Sequence, residues 1–147
     1  MPPITLKSTT GKWIMASAIL ASAMAFIDST ALNVVLPSLQ KDLKATGTDL
    51  FWLLNSYLLM LAALILPGGS LGDKLGRKKI FMIGIALFML GSAASGLAPT
   101  VGYLIGFRAL QGIGGALLIP SSLSIITASF DKSERGKAIG TWSAITT

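Results

Sequence analysis

The sequence contains no cysteine and no histidine, and Asp and Glu together number six among its 147 residues. Disulfides and thiolate metal sites are therefore excluded, and a metal cluster or a Ser-His-Asp triad lacks its components. Charged residues of both signs make up 12% of the chain, about half the share in soluble domains. An enzyme is the least favoured class of function for these reasons, and we expect no cofactor and no metal.

Apolar residues are abundant, because 52% of the chain is hydrophobic and a further 16 residues are glycine. Four apolar stretches run over residues 13–36, 50–71, 80–97 and 101–130, and another occupies 138–147. Each of the first four is long enough for a helix to cross the ~30 Å hydrocarbon core of a bilayer. Because a backbone in lipid must satisfy its own hydrogen bonds, each stretch is predicted to be a helix. We predict an all-α membrane protein.

The basic residues are distributed unequally between the two ends of these predicted helices. The predicted tail, residues 1–12, and the second and fourth connections hold nine Lys and Arg residues, whereas the first and third connections hold two. The positive-inside rule places the tail in the cytoplasm and the protein in the cell membrane as a multi-pass protein. Since the net charge of +6 flanks apolar segments, we expect anionic lipid headgroups, and not nucleic acid, as the partner.

Two formal charges, Asp28 and Arg108, lie inside the predicted spans. Asp28 precedes Leu36, the outer end of the first span, by eight residues, or ~12 Å. Arg108 follows Val101, the outer start of the fourth span, by seven residues, or ~10 Å. Because the depths match, we predict an ion pair or a shared water-filled cavity. A pair that only locks two helices together is the alternative to a place on a substrate or proton path.

The chemistry available to this pair is proton exchange. A poor dielectric favours a neutral carboxyl group, and a nearby guanidinium favours the carboxylate. A conformational change that moved Arg108 would therefore couple proton binding at Asp28 to structure, and the carboxylate would also attract a cation. Gln111 follows Arg108 by three residues on the same helix face. Asn33 follows Asp28 by five residues and projects about 140° away, so it is a weaker candidate for the same site.

Glycine is concentrated in two segments of the chain. Gly68, Gly72 and Gly76 are four residues apart, a spacing that lets membrane helices approach closely. The second segment, "GFRALQGIGGALLIP", lacks the third glycine of a dinucleotide-binding fingerprint, and no strand precedes it. Its Pro120 permits a kink in the fourth helix.

Three motifs resemble those of a known family. Residues 69–79, "GSLGDKLGRKK", match every defined position of the signature between helices two and three of the major facilitator superfamily. Residues 27–37, "IDSTALNVVLP", resemble the helix-one signature of its fourteen-helix drug:proton antiporters. Residues 108–116, "RALQGIGGA", resemble the helix-four signature of its proton-driven exporters.

The resemblance implies a major facilitator fold, of which this chain holds the first four transmembrane helices and the start of the fifth. It implies the N-terminal part of a larger transporter of 12 or 14 helices, which exports small amphipathic or cationic drug-like substrates by alternating access and is driven by the proton gradient. The missing C-terminal part would complete the transport path. The positions carried over for proton coupling or substrate binding are Asp28, Arg108, Gln111 and Asn33. Those carried over for a conformational latch at the cytoplasmic end are Gly69, Gly72, Asp73, Gly76, Arg77 and Lys78.

Two further functions stay open at this point. One is a proton-coupled carrier for a sugar or metabolite, and the other is a small membrane anchor or partner subunit. Because two cytoplasmic connections are expected to lie close together, we also predict that Arg77 pairs with Asp131 or Glu134.

Overall fold

The computed structural model describes residues 4–146, so residues 1–3 of the predicted tail and residue 147 of the fifth apolar stretch lie outside it. The described chain forms five helices and one isolated bridge between Ile4 and Phe130, which confirms the all-α fold class. The helices are α1 (Thr9–Asp42), α2 (Gly47–Leu75), α3 (Arg77–Gly96), α4 (Val101–Ser129) and α5 (Lys132–Thr146). Among the described residues, α1 to α4 are long and apolar enough to cross a membrane.

The first two helices extend beyond their apolar spans because polar residues cap them. Ser8 accepts a hydrogen bond from the Gly11 N–H group and so begins α1 before residue 13. Thr46 and Asp49 form a reciprocal capping box at the start of α2. Similarly, α5 begins at Lys132 and not at residue 138. Apolar length marks the part of a helix that lies in lipid, whereas capping chemistry sets where the helix itself begins.

A single residue, Gly76, connects α2 to α3. Its φ of 100° lies in the region that residues with a Cβ rarely adopt. The third glycine of the four-residue spacing therefore serves the turn, whereas Gly68 and Gly72 serve helix packing. A Cβ on Gly68 would overlap the carbonyl oxygen of Ala116, and one on Gly72 would lie 3.4 Å from Ser121 Oγ.

Helix α4 lies at the centre of the bundle and packs against both α2 and α3. Gly84 of α3 contacts it so closely that an added Cβ would lie 2.7 Å from the Leu118 nitrogen. Gly91 of α3 also lies close to α4, because a Cβ added to Gly91 would lie 2.9 Å from the Gln111 Cβ. The polar side chains of α4 are therefore held at fixed positions between its neighbours.

The segment before α1 docks on the connection between α4 and α5. The Leu6 N–H group donates a 2.7 Å hydrogen bond to the Glu134 carboxylate, and Ile4 pairs with Phe130. Beneath them lies an apolar cluster formed by Met15, Ala18, Ile126, Phe130 and Ala138. The start of α1 and the α4–α5 connection consequently share one end of the bundle.

Candidate functional site

Asp28 of α1 and Arg108 of α4 form an ion pair, as their matching depths predict. The Arg108 Nη1 group donates to Asp28 Oδ2 and also to Gln111 Oε1, the latter at 2.8 Å. Gln111 Nε2 in turn donates to Asp28 Oδ1 at 2.7 Å. Each of the three side chains therefore contacts the other two, and the carboxylate accepts one hydrogen bond on each oxygen.

The three side chains differ in their access to the surroundings of the protein. Arg108 is 3% exposed and Gln111 is completely buried, whereas the Asp28 side chain is 20% exposed. Arg108 is the one fully buried charged residue in the described part of the chain. The carboxylate is therefore the member of the cluster that a proton or a cation can reach directly.

Asp28 lines two clefts that lie between α1 and α3. One has a volume of about 440 Å³ and apolar walls that include Met24, Ile27, Phe88 and Met89. The other has a volume of about 420 Å³ and is lined mainly by apolar residues of α1, α3 and α4, together with Arg108, Gln111 and, at its far end, Asp42. An apolar cleft with a carboxylate in its wall suits an amphipathic cation.

A fourth residue of the cluster, Tyr57 of α2, was not predicted from the sequence. The guanidinium carbon of Arg108 lies 4.6 Å from the centroid of its ring, within the range of a cation–π interaction. A signal for it does exist, because Tyr57 follows Leu50, the outer start of the second apolar stretch, by seven residues, or ~10 Å. That depth equals the depth estimated for Arg108.

Asn33 does not join the cluster. Its side chain is exposed, and Nδ2 donates a 3.1 Å hydrogen bond to the Ser29 carbonyl oxygen of its own helix. The five-residue separation from Asp28 turns it to another side of α1, as its helical position indicates. The structure therefore brings Asp28, Arg108 and Gln111 together and leaves Asn33 apart.

At the opposite end of α4, Arg77 contacts different partners from those predicted. Its side chain forms a 3.1 Å ion pair with Asp73 and donates a 3.1 Å hydrogen bond to the Ser124 carbonyl oxygen. The predicted pairing with Asp131 or Glu134 is wrong. The turn before Arg77 brings its side chain back toward the last turn of α2, and Glu134 is engaged by the N-terminal segment instead.

The remaining predicted latch residues lie along the same end of the bundle. A Cβ added to Gly69 would lie 3.7 Å from the Pro120 Cβ, so this glycine faces α4 as Gly72 does. Gly76 forms the turn, and Lys78 is exposed beside it. The contacts of these residues are defined by the structure, and their role in a latch stays a prediction.

A second buried polar network joins α1, α4 and α5. Ser22 Oγ lies 3.0 Å from Ser122 Oγ and accepts a 3.1 Å hydrogen bond from Trp142 Nε1. Ser122 also donates to the Ile119 carbonyl oxygen at 2.8 Å. Both serines are completely buried, so the network fixes the position of α5 against α1 through satisfied polar groups.

The fold and the site define a multi-pass membrane protein with an ionisable cluster inside its spanning helices. The family model described as Major Facilitator Superfamily matches residues 18–147, and the chain belongs to this superfamily.

Proteins similar to the chain include drug resistance and efflux proteins. The multidrug efflux pump LfrA of Mycolicibacterium smegmatis is 41% identical over 145 residues, which cover 97% of this chain and 29% of that protein. The tetracenomycin C resistance and export protein of Streptomyces glaucescens is 40% identical over 122 residues, which cover 83% of this chain and 23% of that protein. The methylenomycin A resistance protein of Streptomyces coelicolor is 42% identical over 123 residues, which cover 83% of this chain and 26% of that protein. The chain thus spans about a quarter of the length of the curated relatives it matches.

Proposed function

We propose that this chain is the N-terminal part of a proton-coupled multidrug exporter, which works by antiport and alternating access in the cell membrane with its N-terminus in the cytoplasm. The observation that carries the proposal is the cluster of Asp28, Arg108 and Gln111, with its carboxylate open to an apolar cleft. The names of the relatives, which include resistance, export and efflux, support the direction of transport. The proton gradient is the energy source.

Proton binding changes the hydrogen-bonding capacity of Asp28. The ionised carboxylate only accepts hydrogen bonds, and it accepts one from Arg108 and one from Gln111. A protonated carboxyl group carries an O–H donor on one oxygen and no net charge. It can no longer satisfy both partners in the same geometry, so protonation loosens the contact between α1 and α4. The two protonation states thereby favour two arrangements of these helices.

Substrate and proton compete for the same group. An amphipathic cation that enters the cleft buries its apolar part against residues such as Met24 and Phe88 and places its charge beside Asp28. Because the carboxylate cannot be neutralised by a proton and paired with a cation at once, arrival of one favours departure of the other. This competition yields antiport.

The cytoplasmic end supplies the proposed latch. Arg77 joins the α2–α3 turn to α4 through the Ser124 carbonyl oxygen while it remains paired with Asp73. Both side chains are substantially exposed, and exposed ion pairs contribute roughly 0–1 kcal/mol. Only one hydrogen bond, from Arg77 to the Ser124 carbonyl oxygen, then joins the turn to α4, and a hydrogen bond to a charged group contributes roughly 1.5–3 kcal/mol, so the contact can form and break during a transport cycle. Gly69 and Gly72 keep α2 close enough to α4 for the contact to form.

The proposal is tested by Asp28→Asn in the intact protein, expressed in a drug-hypersusceptible bacterium. We expect loss of resistance and loss of ethidium efflux from energised cells, because asparagine has a similar shape but cannot bind and release a proton. Asp131→Asn is the matched control, since Asp131 is an exposed aspartate in the α4–α5 connection and lines neither cleft. Immunoblots of the membrane fraction must show equal protein. Resistance retained by Asp28→Asn would contradict the proposal.

An exchange of the two charges separates function from structure. The double variant Asp28→Arg with Arg108→Asp keeps an ion pair but moves the carboxylate to the buried side. We expect it to remain inactive. Restored efflux would mean that the pair only holds the two helices together.

A further inference from the structure

The ring of Tyr57 covers the guanidinium of Arg108 on a side that no hydrogen bond occupies. The Arg108 Cζ atom lies 4.6 Å from the ring centroid, and the hydrogen bonds of Arg108 to Asp28 and Gln111 both use Nη1. The Nε atom is buried and has no hydrogen-bond partner within residues 4–146. The aromatic face is therefore a major part of the environment of this cation.

Tyr57 is held in place by the glycines of α4. A Cβ on Gly112 would overlap the Tyr57 carbonyl oxygen, and one on Gly115 would lie 3.2 Å from the Tyr57 hydroxyl oxygen. Phe88 of α3 packs against the ring edge-on, with centroids 6.5 Å apart. Tyr57 is 4% exposed, so it has little room to turn away from the guanidinium. The glycine-rich segment of α4 therefore positions the Tyr57 side chain and also lets α4 pack closely against α2.

The charges around the cluster show what the ring contributes when Asp28 takes up a proton. Helix α2 presents Tyr57 to the cluster, and α4 presents the neutral Gln111. In the described part of the chain, α3 contributes no titratable side chain to the cleft that Asp28 shares with Arg108 and Gln111. The other carboxylate that lines this cleft is that of Asp42. Protonation of Asp28 therefore leaves Arg108 a buried cation without a paired anion, which is costly. The negative face of the ring and the Gln111 oxygen remain to stabilise it.

We propose that Tyr57 is a positioning residue of the proton site, which stabilises the Arg108 cation while Asp28 is protonated and so sets the pH dependence of substrate–proton exchange. This inference rests on the proposed function. It concerns a residue that touches neither proton nor substrate and acts through Arg108.

The test measures the pH dependence of ethidium–proton exchange by the intact transporter in proteoliposomes. Loss of the ring in Tyr57→Leu should make Arg108 depend more on the ionised carboxylate, so ethidium–proton exchange should respond to pH over a more acidic range. We expect the pH at which the exchange rate is half-maximal, the midpoint, to become more acidic by about half to one pH unit. Tyr57→Phe keeps the ring and should retain the midpoint. Tyr103→Leu is the control, because Tyr103 is 60% exposed and stacks on Phe107 away from the cluster.

A set of fluorinated phenylalanines at position 57 keeps the test decisive if the leucine variant does not fold. Each added fluorine weakens the negative face of the ring at nearly constant size, so the midpoint should fall stepwise with fluorination. A midpoint that is the same across this set, or that moves toward alkaline pH in Tyr57→Leu, overturns the inference. Asp28→Asn separates the two proposals: if it still exchanges protons, the proposed function fails, whereas an inactive Asp28→Asn with an unshifted Tyr57→Leu refutes only the role of Tyr57.

Discussion

Gly112→Ala probes the contact on which the cluster depends, because Gly112 is where α4 meets the backbone of α2. The added Cβ would overlap the carbonyl oxygen of Tyr57 and lie 3.0 Å from the Met60 Cβ. Neither neighbour can rotate away, since one is backbone and the other is the first atom of its side chain. The two helices must move apart instead.

The size of this effect follows from the contact distances. A carbon atom needs about 3.3 Å from a carbonyl oxygen, so α2 must retreat by about 1 Å. Overpacking of this kind costs about 1–3 kcal/mol, and replacing glycine by alanine in a helix returns up to about 1 kcal/mol. We expect a net loss of about 0–2 kcal/mol, which is about 1–3 kcal/mol relative to a glycine-to-alanine change in a helix that makes no clash. The Tyr57 ring would also move from 4.6 Å toward the ~6 Å limit of a cation–π contact with Arg108.

The assay is thermal unfolding of the purified protein in detergent, followed by size-exclusion chromatography after heating. Gly106→Ala is the matched control on the same helix, because no atom lies within 4 Å of its hypothetical Cβ. Gly106→Ala should be stabilised by the higher helix propensity of alanine without any clash. Its unfolding temperature should therefore equal or exceed that of the unmodified protein. If Gly112→Ala melts at the same temperature as Gly106→Ala, the inferred close approach of α2 and α4 is wrong.

Two other substitutions test the turn and the second polar network. Gly76→Ala should destabilise the protein by about 1–3 kcal/mol, because its φ of 100° strains any residue with a Cβ; chemical denaturation measures the loss. Ser22→Ala should cost about 1–3 kcal/mol by leaving the Trp142 N–H group without its acceptor. Trp142→Phe should then lower the free energy of unfolding less in the Ser22→Ala background than in the unmodified protein. A double-mutant cycle in the same denaturation assay measures this coupling.

Each of these has a control in the chain. Gly47→Ala replaces a glycine with ordinary φ and open space around it, so an equal effect at positions 47 and 76 would refute the strain at the turn. Ser17 donates only to the Ile14 carbonyl oxygen of its own helix, and Ser17→Ala should be nearly neutral. Additive effects of Ser22→Ala and Trp142→Phe would mean that the hydrogen bond between them contributes nothing.

The ion pair was predictable because depth in a membrane is a one-dimensional quantity. The apolar stretches fix where each helix enters the bilayer, and the rise per residue then gives the depth of Asp28 and Arg108 without knowledge of the packing. Gln111 followed from its three-residue spacing on the same helix. The helices themselves followed from apolar length for the same reason.

The side-chain partners that were missed depend on the direction in which each helix faces its neighbours. Depth alone placed Tyr57 level with Arg108, but the close approach that puts its ring on the guanidinium depends on how α2 packs against α4. The network of Ser22, Ser122 and Trp142 depends likewise on where α5 docks. Arg77 was assigned the wrong partner because closeness of two connections does not specify which side chains meet.

The docked N-terminal segment has a consequence for how the protein is made. The hydrogen bond between Leu6 and Glu134 joins residues 128 positions apart, and the Ile4–Phe130 pair spans nearly as much of the chain. During synthesis the first of these residues leave the ribosome long before their partners exist, so four membrane helices must be produced before the segment can dock. Docking of the segment therefore marks the completion of this group of helices, and a nascent chain that has not reached the start of α5 still exposes the beginning of α1.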